Sequence, residues 1–240
     1  MQVPATDARR FPRIDQKIML VLALDSSDRN GSVALARCGP GEDCEVLEVA
    51  QLAGGTFSAQ LIPQIAAILA KHGFGKERID GFAVVSGPGS FTGLRIGLAA
   101  VKALAEVLEK PIAAVSLLEA VASAGDTGGR VVAALDAGRN EVYAGEYEIE
   151  GAAKRISESL ITQAGLIAIA AGHTVITPDK KLADMARTAG LRVEEIRRPG
   201  SDAVAELGWK KILAGEIVSP EMLDANYIRR MDGEILARIS

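Results

Sequence analysis

GFAVVSGPGSFTGLRIGLAAVKALAEVL, residues 81–108, carries three signals in one run. Residues 81–87 are apolar in nearly every position, as expected of a strand covered on both faces. Apolar residues then recur at helical spacing over 92–108. Between the two lie Gly87, Pro88, Gly89, Ser90, Phe91, Thr92 and Gly93. A buried strand that turns through glycines directly into a helix is the repeating unit of an α/β protein.

The loop fits neither common phosphate fingerprint. A Walker A loop needs G-x-x-x-x-G-K-[ST], but Thr92 stands five residues after Gly87, and no Lys-Ser or Lys-Thr follows. A dinucleotide loop needs glycine at position 92, and Gly93 is one residue late. Two readings stay open. Gly87 and Gly89 could serve the turn, Ser90 or Thr92 could cap the helix, and Gly93 and Gly97 could let another backbone approach it. Alternatively the helix N-terminus holds an anion that Arg95 reaches.

Working outward, the 92–108 helix has Leu94, Leu98, Val101, Leu104 and Leu108 on one stripe. Ile96, Ala99, Ala100, Ala103 and Val107 cover most of the rest. The expected 58–71 helix is as broadly apolar, with Leu61, Ile62, Ile65, Ile68 and Leu69; its Pro63 should bend it or mark its first turn. Helices apolar nearly all round are buried on more than one side. Pattern alone does not separate a double-layered core from a protein–protein interface.

Upstream, KIMLVLALD (17–25) reads as a buried strand, RNG (29–31) as a hairpin turn, SVALAR (32–37) as its return and CEVLEVAQ (44–51) as a third strand. Downstream, PIAAV (111–115) is a short strand, and Ser116 with Glu119 forms an S-x-x-E capping box for another helix. After GDTGG (125–129) the pattern restarts: RVVAALDAGRN (130–140) and EVYAGEYEIE (141–150) as a hairpin, then helix, strand (173–179), helix, strand (192–198) and a helix over 202–214. Two similar halves predict a duplicated two-lobed α/β fold of the actin-like or ribonuclease H-like kind, with mixed sheets flanked by helices. The expected division is an N-terminal extension 1–17, a first lobe 18–125, a smaller second lobe 126–216 and a tail 217–240.

The 240 residues are 48% hydrophobic and 24% charged, and the net charge of −4 gives no general attraction to nucleic acid. Arg9 and Arg10 precede an apolar run that ends at Asp25, too short for a spanning helix, so a cytoplasmic protein with no membrane segment is expected. Cys38 and Cys44, with five residues between them, match no zinc signature and read as inert thiols. His72 and His173 stand too far apart for a zincin motif, and Ser90 lacks the glycines of a nucleophile elbow. Asp25 and Asp136 each end an apolar strand. Their carboxylates could hold Mg2+ for a nucleotide, as in an actin-like ATPase or kinase, or could cap turns.

LALDSS, SGPGSFTGLRIGLAAVKALA, PIAAVSLLEA, LDAGRNEVY and NYIRR, in that order, resemble the bacterial TsaB (YeaZ) family. The resemblance implies an actin-like (ASKHA) fold and a non-catalytic subunit that binds and activates TsaD. That enzyme makes N6-threonylcarbamoyladenosine on ANN-decoding tRNAs. The resemblance also implies the ATPase TsaE as a further partner, a homodimer when TsaD is absent, and tRNA met only through the complex. It implies no catalytic residue, metal or protease activity in this chain, and leaves open only ATP or ADP with Mg2+ at the complex interface. Carried over to these residues, the contact falls on Leu61, Ile62, Ile65, Leu69, Leu94, Arg95, Leu98, Val101 and Lys102. Leu98→Glu and Ile65→Glu are then expected to break the complex and spare the fold. One departure stands out: Phe57-Ser58-Ala59 replaces the His-Ser-Glu triplet common in the family.

Overall fold

Met19–Asp25 (β1) is apolar at almost every position, and the computed structural model buries all seven residues. The structure describes residues 18–41, 43–53, 56–226 and 228. The expectations for the 1–17 extension, and for Tyr227 and Arg229 of the tail, lie outside these residues.

The first repeat continues with Asn30–Cys38 (β2), Cys44–Ala53 (β3), Phe57–Lys71 (α1), Gly81–Gly87 (β4), Phe91–Leu108 (α2), Ile112–Ser116 (β5) and Leu117–Ser123 (α3). The second consists of Gly129–Gly138 (β6), Glu141–Glu150 (β7), Ala152–Thr162 (β8), Gln163–Ile169 (α4), Thr174–Thr177 (β9), Lys180–Thr188 (α5), Arg192–Glu195 (β10) and Ser201–Leu213 (α6). The sheets are ordered β3-β2-β1-β4-β5 and β10-β9-β6-β7-β8. In each, three antiparallel strands form a meander and its first strand pairs in parallel with the fourth strand of the repeat. This is the duplicated actin-like, ribonuclease H-like α/β fold that the restart at residue 130 predicts.

Each repeat ends in a helix that packs on the other repeat's sheet: α3 on β6, β7 and β8, and α6 on β1, β2, β3 and β4. The compact units therefore differ from the expected lobes. Among the described residues, one comprises those up to Val115 with Pro199–Ala225, and the other Ser116–Arg198 with Asn226 and Ile228. The 217–225 segment belongs to the first unit, where Val218 N donates to Ile112 O at 2.9 Å and Leu223 is buried.

Four local expectations change. β8 lies in a segment read as helical; it is an outer strand of its sheet, and none of its residues is fully buried. Asn30 and Gly31 belong to β2 rather than to the turn, because Asp25 already pairs with Ser32. α1 runs through Pro63 as one helix. Ser116 stands at the start of α3 without a side-chain cap bond; its hydroxyl donates instead to Glu158 Oε1 at 2.5 Å.

In the first unit the sheet is covered on both faces. Gly97 of α2 lies against Leu24, and Gly208 of α6 lies against Ala83. Ala83 is the register partner of Ala23, and adjacent residues 23 and 24 point to opposite faces. Hence β1 is continuously apolar.

Candidate functional site

The glycine loop is built onto the turn after β1. Gly87 has φ 133°, a conformation open to glycine, and precedes a cis Pro88. Ser90 N donates to Ser27 O at 2.6 Å, and Ser90 Oγ accepts from Gly93 N at 3.3 Å to cap α2. A Cβ on Gly89 would stand 2.4 Å from Ser27 O, and one on Gly93 would stand 2.1 Å from Ser26 O. The Ser26 and Ser27 carbonyls thus lie where side chains at 89 and 93 would have to stand. The Arg95 guanidinium stacks 3.7 Å from the centre of the Phe91 ring. The loop turns the chain and seats α2 tightly on the sheet.

That contact can be tested. Gly93→Ala drives a methyl into a backbone carbonyl and should cost ~1–3 kcal/mol, the usual range for overpacking. Gly97→Ala meets chiefly the Ser26 hydroxyl at 2.2 Å, an oxygen with no hydrogen-bond partner among the described residues that can rotate aside. Urea unfolding should show a clearly lower midpoint for Gly93→Ala than for Gly97→Ala.

α1 and α2 pack on each other and on the sheet, which decides the fate of the nine proposed contact residues. Leu61, Ile65, Leu69, Leu94, Leu98 and Val101 are all buried inside the unit. Ile62 is 51% exposed, Arg95 is exposed and Lys102 half-buried. Leu98→Glu and Ile65→Glu therefore probe the core, not an outer surface.

The outward faces share only Ile62 and Arg95 with those nine residues. On α1 they comprise Ala59, Ile62, Ala66 and Ala70, and on α2 Arg95, Ala99, Ala103 and Val107, the last 75% exposed. Both sets recur every three or four residues, so each forms one stripe. A stripe of small apolar side chains lets a second helix approach closely. Phe57, the departure from the family triplet, turns inward: its ring lies within 2.9 Å of where a Cβ on Gly31 would stand and 3.4 Å for Gly93. Ser58 and Ala59 stay exposed. At the other end of α1, Glu48 of β3 receives Lys71 Nζ and His72 Nε2, each at 2.9 Å. The bond from Lys71, then that from His72, holds the Glu48 carboxyl below the usual carboxylate range.

Asp25 and Asp136 behave as turn residues. Asp25 Oδ1 accepts from Ser27 N at 2.8 Å and Ser27 Oγ at 2.6 Å, and Asp136 Oδ1 accepts from Gly138 N at 2.8 Å. The two lie in separate units. Among the described residues no group of three or more His, Cys, Asp or Glu side chains is arranged to hold a metal ion. No helix among them is long and apolar enough to cross a membrane.

Two features escape the sequence reading. Cys38 and Cys44 are bonded as a disulfide rather than standing as separate thiols, because they are register partners on β2 and β3. In the second unit the Glu158 carboxylate, 5% exposed, accepts from Ser116 Oγ, the Tyr147 hydroxyl and Asn226 Nδ2. Burial, reinforced by that carboxylate, pushes the Tyr147 phenol well above its ordinary value.

A family model described as TsaD: tRNA N6-adenosine threonylcarbamoyltransferase matches residues 49–203, more than half of the chain. The tRNA threonylcarbamoyladenosine biosynthesis protein TsaB of Haemophilus influenzae is 39% identical over 128 residues, 52% of either chain. The protein of the same name from Bacillus subtilis is 34% identical over 131 residues, 54% of this chain and 56% of its own. The matched segment thus spans about half the length of these curated relatives. A Pseudomonas aeruginosa crystal structure described as similar to peptidase YEAZ superposes with TM-score 0.72 at 27% identity, covering 88% of this chain and all of that one. YeaZ from Pseudomonas aeruginosa gives TM-score 0.69 at 25% identity, again covering 88% of this chain.

Proposed function

The chain belongs to the TsaB (YeaZ) family, and from that premise we propose that it is the non-catalytic subunit that binds and activates TsaD. The reaction served is formation of N6-threonylcarbamoyladenosine at position 37 of ANN-decoding tRNAs, in the cytoplasm. The observation that supports this reading is the pair of outward stripes on α1 and α2, lined by alanines and carrying the exposed Ile62 and Val107. Apolar side chains of that size are left in water only at some cost, which a partner helix removes. The same stripes close on a second copy when TsaD is absent, and TsaE joins the assembled pair. With a net charge of −4, this subunit meets tRNA through the complex rather than alone.

The deciding experiment mixes TsaD, TsaE and threonylcarbamoyl-AMP synthase with tRNA, with and without this protein. Modified adenosine should form only when the protein is added, and none should form from the protein alone. Equal product in its absence would remove the proposed role.

A further inference from the structure

Cys38 and Cys44 are the chain's two cysteines, and neither lies on the outward stripes of α1 and α2. They form the last register pair before the loop that joins β2 to β3, so their bond closes that loop. The loop carries Gly41, whose carbonyl oxygen accepts from Trp209 Nε1 at 2.8 Å. Trp209 is the only tryptophan, fully buried on α6, the helix that covers β1, β2, β3 and β4. One covalent bond therefore closes the loop on which the core tryptophan of α6 places its only polar atom.

The two cysteines differ in exposure. Cys38 is 0% exposed, whereas Cys44 is half-buried on β3, an outer strand of its sheet, between exposed Asp43 and Glu45. The hairpin does not depend on the bond, since β2 and β3 remain paired from Asn30 with Ala53 through Arg37 with Glu45. With the disulfide open, this pairing and the bond from Gly39 N to Asp43 O at 3.1 Å would still hold the hairpin, and the covalent closure of the loop would be what is lost. We infer that the pair is a reversible thiol–disulfide site whose state sets how firmly the β2–β3 loop is held on α6.

The exchange partner is a dithiol in one direction and a small disulfide in the other. A thiolate of the dithiol attacks Sγ of Cys44, the more exposed of the two residues; the S–S bond breaks and Cys38 leaves as a thiolate that takes up a proton. The second thiol then attacks the mixed disulfide and releases Cys44 as a thiol. The pair gains two electrons and two protons, and the dithiol becomes a disulfide. Oxidised glutathione reverses this, releasing two molecules of glutathione.

The test uses the full chain, folded, without denaturant during exchange. After treatment with oxidised glutathione, N-ethylmaleimide added under denaturing conditions should attach nowhere. After dithiothreitol it should attach twice, as read by intact mass. Trp209 emission should shift on reduction and return on reoxidation. The Cys38→Ser/Cys44→Ser double variant should hold the reduced-state emission and respond to neither reagent. Two labels under every oxidising condition would overturn the inference. So would a bond that resists dithiothreitol until the protein is unfolded, or emission that stays constant while the labels change.

Discussion

Leu98→Glu is expected to unfold the first unit, while Ala99→Glu, one residue later on the same helix, leaves it folded and unable to dock. Leu98 is 4% exposed, inside the unit, so its loss alone costs ~2–5 kcal/mol. An unpaired carboxylate in its place adds several kcal/mol, or must take up a proton to be tolerated. Domains of this kind have a total stability of ~5–15 kcal/mol, so the sum removes most or all of it. Ala99 is exposed, and a glutamate there meets water and, one turn away, the Arg95 side chain in the isolated chain. Against a partner helix the same carboxylate would be desolvated, with Arg95, one turn away and stacked on Phe91, as the nearest counter-charge on the stripe. Circular dichroism melting and co-elution with TsaD separate the two outcomes. Leu98→Glu should lack a cooperative transition. Ala99→Glu should melt within a few degrees of the parent and bind TsaD at least ~100-fold more weakly, the effect of one desolvated charge at ~2.7 kcal/mol. Normal binding by Ala99→Glu would move the interface off this stripe.

Glu158→Ala should cost the second unit ~3–5 kcal/mol, the range for removing one member of a buried charged network. Its carboxylate is the shared acceptor for Ser116, Tyr147 and Asn226, which belong respectively to the end of β5, to β7 and to the segment after residue 225. Removing it leaves the buried Ser116 and Tyr147 hydroxyls without their acceptor, which costs more than the bonds themselves were worth. Glu158→Gln keeps one acceptor oxygen for Ser116 and Tyr147 but turns an N–H2 toward the N–H2 of Asn226. It should therefore fall between the parent and Glu158→Ala in urea unfolding. Asn226→Ala should relieve part of the Gln penalty, since it removes the opposing donor. Full stability in Glu158→Ala would show that the three donors find other acceptors.

Much of this architecture can be read without coordinates. The strand–glycine–helix run at 81–108 identifies the α/β class, and the apolar run before Asp25 recurs in character before Asp136, which identifies the duplication. The family resemblance rests on the same loop, whose glycines lie in the structure against the Ser26 and Ser27 backbone. The outward stripes also left a trace in the chain. Large Leu, Ile and Val side chains fill one side of α1 and α2, while alanines at 59, 66, 70, 99 and 103 recur on the other. Attention to size as well as polarity would have placed the surface there. Six of the nine residues carried over from the resemblance lie in the core, while Ile62, Arg95 and Lys102 do not.

What local pattern determined was the position, period and type of most elements, because these depend on neighbours within a few residues. Four matters depended on contacts far along the chain. α6 is covered by the first repeat's sheet rather than its own, and nothing within residues 201–213 says which apolar sheet will receive it. β8 is a strand because β7 offers it an edge along its whole length, from Glu141 with Thr162 to Glu150 with Ala152. Ser116 gives up its helix cap because folding brings Glu158, 42 residues away, within 2.5 Å. Cys38 meets Cys44 only because the register of β2 and β3, shifted once near Leu35, sets them opposite each other. An amphipathic or apolar surface is written in the order of residues, but the surface that covers it is selected only when the chain closes on itself.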